Sequence, residues 1–333
     1  MERTDNNTNY MIKRIGHITA LRYLLLAATF MLTAVSCTRE DWSDCDPLLQ
    51  IGFSFTRNPS GTERFYDELT RLDVFIFDAQ GRFVKSISDS RTRFPDGYVM
   101  ETELPGEGTY SIVTVGNADN TFEYGQFKGY SQACTPLQPG VSTLDDFRLM
   151  HNKAGLSSDT RICDIFHGNI RVANLRADIT EKCTVPLTKN TKTLNITLVG
   201  LQNIVAPALF PLVEAEAGAC NAVNMHDNDL DMSAPTITYL PFSRTTPGSD
   251  LKIQMSVLRL MSGCQMPLSI TDGTKDIGRF DIIKEILKNP AYNTDDDLDC
   301  EDTFDIDITF DTNGSFTVKV NGWQTTGSGG VIG

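Results

Sequence analysis

From Leu49 onward the chain keeps returning to one rhythm, an apolar residue at every second position, and that period admits sheets and little else. Leu49, Ile51, Phe53 and Phe55 alternate with Gln50, Gly52 and Ser54, the pattern of a strand with one buried face. Leu72 to Asp78 (LDVFIFD) is apolar on both faces, as an interior strand is, and Ala79 to Arg82 turns it into Phe83 to Ile87. Shorter runs follow at Val99 to Leu104, Tyr110 to Val115, Ile170 to Val172 and Cys183 to Leu187. The same habit resumes at Lys192 to Leu198, Ile237 with Tyr239, Leu251 to Val257, and Met266, Leu268 and Ile270. Phe304 to Phe310 and Phe316 to Val320 flank Asp311-Thr312-Asn313-Gly314, and Asn-Gly between two alternating runs is the strongest short hairpin signal. Helical spacing is confined to Thr143 to Met150, inside a long connection from Asn120 to Ile165, and to Asp281 to Lys288, which Asn289-Pro290 stops. Many short strands with frequent turns predict an all-β chain of two tandem β-sandwich domains. We expect the first at 48–187 and the second at 188–323, with Pro186 to Lys189 as the boundary and a Gly/Ser-rich tail at 324–333.

The segment ahead of these strands decides where they reside. Tyr23 to Cys37 (YLLLAATFMLTAVSC) is an apolar run behind Lys13, Arg14 and Arg22. Its core of about a dozen residues is short of the roughly 20 that span a bilayer and suits a signal peptide. Ala34-Val35-Ser36-Cys37 is similar to a bacterial lipobox, in which the cysteine thiol receives a lipid and the peptide is cut before it. Residues 1–36 are then a lipoprotein signal peptide, Cys37 the lipidation site, and 37–47 a polar tether. Ordinary secretory cleavage near Ser36 is the alternative. Met11 opens a basic stretch typical of a signal's start, so translation begins at Met1 or Met11.

Charge and motifs narrow the function. The chain has a formal charge of −14, and loss of residues 1–36 removes four basic and two acidic residues and leaves −16. Such a body repels nucleic acid and anionic lipid heads, so no nucleic-acid partner is expected and the lipid must supply the membrane attachment. The eight cysteines fall into no CxxC pair, and their spacings leave connectivity open. No GxSxG, HExxH, GxGxxG or GxxxxGK[ST] motif is present, which predicts no catalytic residues, no cofactor and no enzyme activity. Asp227 to Asp231 and Asp295 to Asp302 are acidic clusters. The first lacks the glycine and closing glutamate of an EF-hand, and both read as solvated loops rather than metal sites.

Several of these features together resemble the fimbrial anchor subunits of Bacteroidetes, the FimB-like family of lipoproteins that fix type V fimbriae to the outer membrane. They are Cys37, Cys45-Asp46-Pro47-Leu48 running into Ile51 to Phe55, Leu72 to Phe83, Gly108 to Val113 with Gly116-Asn117-Ala118, Asp164 to Gly168, Thr188 to Leu198, and Asn321-Gly322-Trp323. Order and spacing carry the likeness, and Phe166-His167-Gly168 departs from the aromatic pair expected there. The resemblance implies two transthyretin-like β-sandwiches at the base of a fimbrium, partnered by fimbrial shaft subunits through strand addition and by the outer membrane through covalent lipid. A strand starting about a dozen residues from an anchoring lipid should stay in place, so the C-terminal segment or the edge of the last hairpin is the expected offering to a neighbour. Two rivals remain. One is a shaft or tip fimbrillin trimmed at Arg57 or Arg64 by an arginine-specific protease, and the other a surface glycan-binding lipoprotein with an aromatic platform.

Overall fold

The computed structural model describes residues 46–324 apart from 131–132, 153–156 and 178. Cys37, Cys45, the signal segment and the tail from Thr325 lie outside the described residues. The N-terminal half holds β1 (Leu48–Arg57), α1 (Phe65–Glu68), β2 (Arg71–Phe77), β3 (Phe83–Ser90), β4 (Val99–Glu103), β5 (Gly108–Gly116), β6 (Phe122–Gln126), β7 (Phe147–His151), β8 (Ser157–Ser158), β9 (Phe166–Leu175) and β10 (Glu181–Lys189). The C-terminal half holds β11 (Thr191–Val199), β12 (Glu214–Cys220), β13 (Ala222–Asn224), β14 (Thr236–Tyr239), β15 (Ser243–Thr245), β16 (Leu251–Leu258), β17 (Pro267–Thr271) and β18 (Asp276–Asp281). It continues with α2 (Ile282–Ile286), α3 (Asp295–Cys300), β19 (Thr303–Phe310), β20 (Phe316–Val320) and β21 (Trp323–Gln324). The chain is all-β.

Seven strands in the order β3-β2-β5-β9-β10-β1-β4 make one sheet that folds over on itself. Leu49, Ile51, Phe53 and Phe55 of β1 share a core with Leu72, Val74 and Ile76 of β2, although three strands separate β1 from β2 in the sheet. The two edges meet: Lys85 on β3 donates to the carbonyl of Glu103 on β4, and the Tyr98 hydroxyl donates to Asp89 Oδ2 at 2.6 Å. Folding the edges together covers groups that would otherwise template foreign strands. The doubly apolar run at Leu72 to Phe77 now has its reason. Its alternate residues Phe75 and Phe77 point away from that core onto a small sheet, β13-β7-β6, with ring centroids 4.8 and 5.8 Å from Phe147.

The C-terminal half is a sandwich of a six-stranded sheet, β15-β16-β11-β19-β20-β21, and a five-stranded one, β18-β17-β12-β14-β8. Leu194, Ile196 and Leu198 of β11 share its core with Ala215 and Ala217 of β12 and Leu268 and Ile270 of β17. Each half contains one parallel pairing that involves its first strand: β1 with β10, Leu49 opposite Glu181, and β11 with β19, Thr193 opposite Thr303. The halves also trade strands. β13 pairs with β7, Ala222 opposite Met150, and β8 pairs with β14, Ser158 opposite Tyr239. One core cluster therefore runs from Phe75 and Phe147 into Leu194 and Ile308.

Three expectations need correction. Thr143 to Met150 is not a helix: Leu144–Asp146 forms a single 3-10 turn and Phe147–His151 is β7, whose Phe147 and Leu149 face one way as a strand requires. The connection from Asn120 to Ile165 is not structureless, since it holds β6, β7 and β8. Asp295 to Asp299 is not a solvated loop but the helix α3, started by a capping box in which Thr294 and Asp297 each accept from the other's backbone N–H.

Candidate functional site

At the N-terminal end of the described residues β1 is an interior strand. It lies parallel to β10 on one side and antiparallel to β4 on the other, and its four inward residues are at most 5% exposed. Burying four such side chains is worth roughly 1.5–3 kcal/mol each. The strand ends at Arg57, whose Nη1 donates to Thr188 Oγ1 at 3.1 Å and whose guanidinium pairs with Asp296 and, at 3.7 Å, with Asp299. Arg64 sits at the start of α1 and pairs with Glu68 at 2.9 Å.

Arg57 belongs to a polar joint between the halves. Asp299, fully buried on α3, accepts two 2.8 Å bonds from Arg259 just after β16. Arg259 also donates to the carbonyl of Asn228. Lys192, second residue of β11 and about 1% exposed, donates to the carbonyls of Asp299 at 2.9 Å and of Glu301. Burial pulls its pKa down to about 8 against the opposing pull of Asp299 and Asp302. Asn190, the single residue between β10 and β11, exchanges two amide bonds with Asn228 at 2.6 and 3.1 Å. The ring of His167 on β9 bonds the carbonyl of Met225 through Nε2 at 2.9 Å. Its complete burial lowers its pKa to about 4, so it is neutral and Nε2 carries the hydrogen. Around these groups lies a hollow of about 550 Å³ bordered by Arg57, His167, Thr188, His226, Arg259 and Asp296. Arg57, Lys192, Arg259 and Asp299 are each paired or carbonyl-bonded, which suits a structural joint rather than a reactive site. In the acidic cluster at Asp227 to Asp231, Asp231 accepts from Arg148 at 2.8 Å and from Tyr130 at 2.7 Å, while Asp227 and Asp229 are exposed.

Sequence reasoning passed over Lys192, Arg259 and Asp299. Lys192 falls on the inward face of its strand with Leu194, Ile196 and Leu198 but looks like the polar start of that strand, and Asp299 like one more member of an acidic run. The available signal was Arg259, a lone charge inside Val257-Leu258-Arg259-Leu260-Met261, where a buried cation demands a buried acid.

At the other end, Asn321 in a left-handed conformation (φ 47°) and Gly322 (φ 76°) make the two-residue turn that folds Trp323–Gln324 back onto β20. Asn321 is tied to β19 twice, its N–H to Asp305 O at 2.8 Å and its Oδ1 to Asp305 N–H at 2.7 Å. Trp323 is about half exposed, and β21 is an edge of the six-stranded sheet. The expected donor segment beyond Gln324 lies outside the described residues, as does the expected lipidation site Cys37.

An interior first strand, a polar joint between the halves and a sheet edge at Trp323–Gln324 belong to one all-β architecture. Residues 43–328 match the family of fimbrillin-A associated anchor proteins Mfa1 and Mfa2, and the chain belongs to that family. No curated protein matches the chain. Among solved structures, the fimbrial anchor protein Mfa2 from Porphyromonas gingivalis is similar at 17% identity and a TM-score of 0.68, covering 84% of this chain and 99% of that one. A Bacteroides thetaiotaomicron protein described as polysaccharide-binding is similar at 19% identity and a TM-score of 0.70, covering 84% and 98%. A Bacteroides ovatus adhesin is similar at 18% identity and 0.69, covering 84% and 95%. These likenesses establish a shared fold. Family membership makes the chain a fimbrial anchor or subunit, associated with the fimbrium at the cell surface and with other fimbrial subunits.

Proposed function

We propose that this chain is the lipid-anchored base of a fimbrium, non-enzymatic, with Cys37 acylated in the outer membrane and with the C-terminal end engaging the neighbouring shaft subunit by strand addition. The two halves act as tandem transthyretin-like modules at 48–187 and 188–323. The observation that carries this reading is the place of β1, interior to its sheet and a short tether away from Cys37. A shaft or tip fimbrillin cut after Arg57 would lose Leu49, Ile51, Phe53 and Phe55 from its core and break both β-ladders of β1. An anchor keeps that strand, and with it a continuous covalent path from lipid to fold. The glycan-binding reading has less support. The hollow of about 570 Å³ on the six-stranded sheet, bordered by Asn195, Ser243, Thr245, Lys252, Gln254 and Asp305, presents no aromatic ring for stacking.

Mass spectrometry of the mature N-terminal peptide tests anchoring: a lipidated Cys37 is expected, and an N-terminus beginning at Asn58 or Phe65 would establish the trimmed alternative. Deleting Gln324 to Gly333 should release fimbriae into the medium while the truncated protein stays on the cell. Fimbriae retained on cells carrying the deletion would sink the donor role of that segment.

A further inference from the structure

Two cysteines of the C-terminal half sit around one short stretch of chain, and no feature described so far uses them. Cys220 is the last residue of β12 and is 7% exposed, whereas Cys264, in the turn between β16 and β17, is partly exposed. β12 and β17 run antiparallel with Ala217 opposite Leu268. Cys220 lies three residues past Ala217 and Cys264 four before Leu268, so both emerge at the same end of that ladder. Their thiols touch successive residues. Cys220 Sγ donates to the carbonyl of Asp231 at 2.9 Å, and Cys264 Sγ is 3.5 Å from Met232 Sδ. Cys220, Val223 and Leu230 form a small apolar cluster against which Cys264 and Met261 pack. Burial raises the pKa of the Cys264 thiol, and the next contribution, also upward, comes from Cys220. Cys264 stands on a tight turn closed by its own N–H to Met261 O at 3.2 Å with Gly263 left-handed (φ 81°), outside any strand.

We propose that Cys220 and Cys264 are a redox pair that closes into a disulfide, fastening the point where the chain leaves β12 for β13 and crosses to the other half. The position gives the bond a purpose. Asn221 and β13 immediately follow Cys220, and they hold the N-terminal half through Asn221 Nδ2 to His151 O at 3.2 Å and the β13–β7 ladder. A covalent link at Cys220 ties that crossing to the β16–β17 turn and limits how far it can be pulled out. The chemistry is two thiol–disulfide exchanges with a dithiol oxidant in its disulfide form. Cys264, the accessible thiol, loses its proton and attacks the oxidant, forming a mixed disulfide and releasing one thiolate. Cys220 then loses its proton and attacks Cys264 Sγ, expelling the second thiolate. Two protein thiols are oxidised and one oxidant disulfide is reduced to two thiols.

Closure in the cell rests on the surface location proposed above, because such bonds persist in oxidising compartments. The test avoids that dependence. Purified full-length protein is incubated with glutathione disulfide, the remaining thiols are alkylated, and the unreduced digest is analysed by mass spectrometry. The expected product is a cross-linked peptide pair containing Cys220 and Cys264, abolished by dithiothreitol and absent from Cys264→Ser. Recovery of both residues alkylated, as separate glutathione adducts, or linked to other cysteines would overturn the proposal.

Discussion

His167 shows how far a single side chain's surroundings decide its chemistry. As one of three histidines after residue 36 it carried no metal-site signal, and in the fold it is a neutral, buried hydrogen-bond donor to Met225 O. Burial is the main cause of its lowered pKa of about 4, against an ordinary 6.5, with Arg259 adding to it and Asp227 opposing. A histidine that is harder to protonate when folded stabilises the fold above pH 6.5, and that stabilisation is lost as pH falls from 6.5 through 4. The full loss is about 3 kcal/mol. In urea titrations across this range, His167→Gln, which keeps a donor but cannot charge, should flatten the pH dependence relative to the parent protein. Parallel curves for the two proteins would refute the assignment. Asn117 makes a related point that the sequence did expose. Left-handed at φ 56°, it accepts from Thr70 and Arg71 N–H at 2.9 and 3.2 Å and donates to Glu68 O at 2.8 Å, pinning the α1–β2 corner to the end of β5.

Elements met their expectations where periodicity was strong and departed where side chains were small or charged. β1, β2, β5, β11, β16, β19 and β20 all lie where alternation predicts them. β12 was missed because Glu-Ala-Glu-Ala-Gly-Ala-Cys alternates with alanines, which bury well yet carry little strand signal. The α3 run was misread because three aspartates in a first turn signal solvent in isolation, while a capping threonine and a helix N-terminus favour them. The β9–β10 contact turns on Gly168: a Cβ there would lie 2.5 Å from Val185 Cγ1 and 2.6 Å from Pro186 O. Because a backbone oxygen cannot swing aside, Gly168→Ala should destabilise by about 1–3 kcal/mol. Thermal unfolding of the variant measures this, and an unchanged midpoint would mean that β9 and β10 separate more easily than their packing suggests.

On the scale of the whole molecule the joint matters most. Arg259 and Asp299 bind α3 to the end of β16 and to the Asn228 loop, and Arg57 extends the network to β1. Removing one partner strands a charge with no solvent, at a cost of about 3–5 kcal/mol. Asp299→Ala should therefore lower stability by that amount and raise amide exchange in both α3 and β1. Replacing both partners, Arg259→Met with Asp299→Leu, should recover much of the loss. A double variant no better than the single would show that the pair contributes attraction well beyond mutual neutralisation.

The amino-acid sequence by itself determined the all-β class, most of the strands and the family, because a period of two and turn chemistry are local properties that need no partner to be read. The tertiary structure decided which strands are interior, that the halves trade β8 and β13, and that Lys192, Arg259 and Asp299 meet in a buried joint. Those are relations between residues from about forty to more than two hundred apart in sequence, and a buried charge becomes legible only when the opposite charge that makes it tolerable is seen beside it.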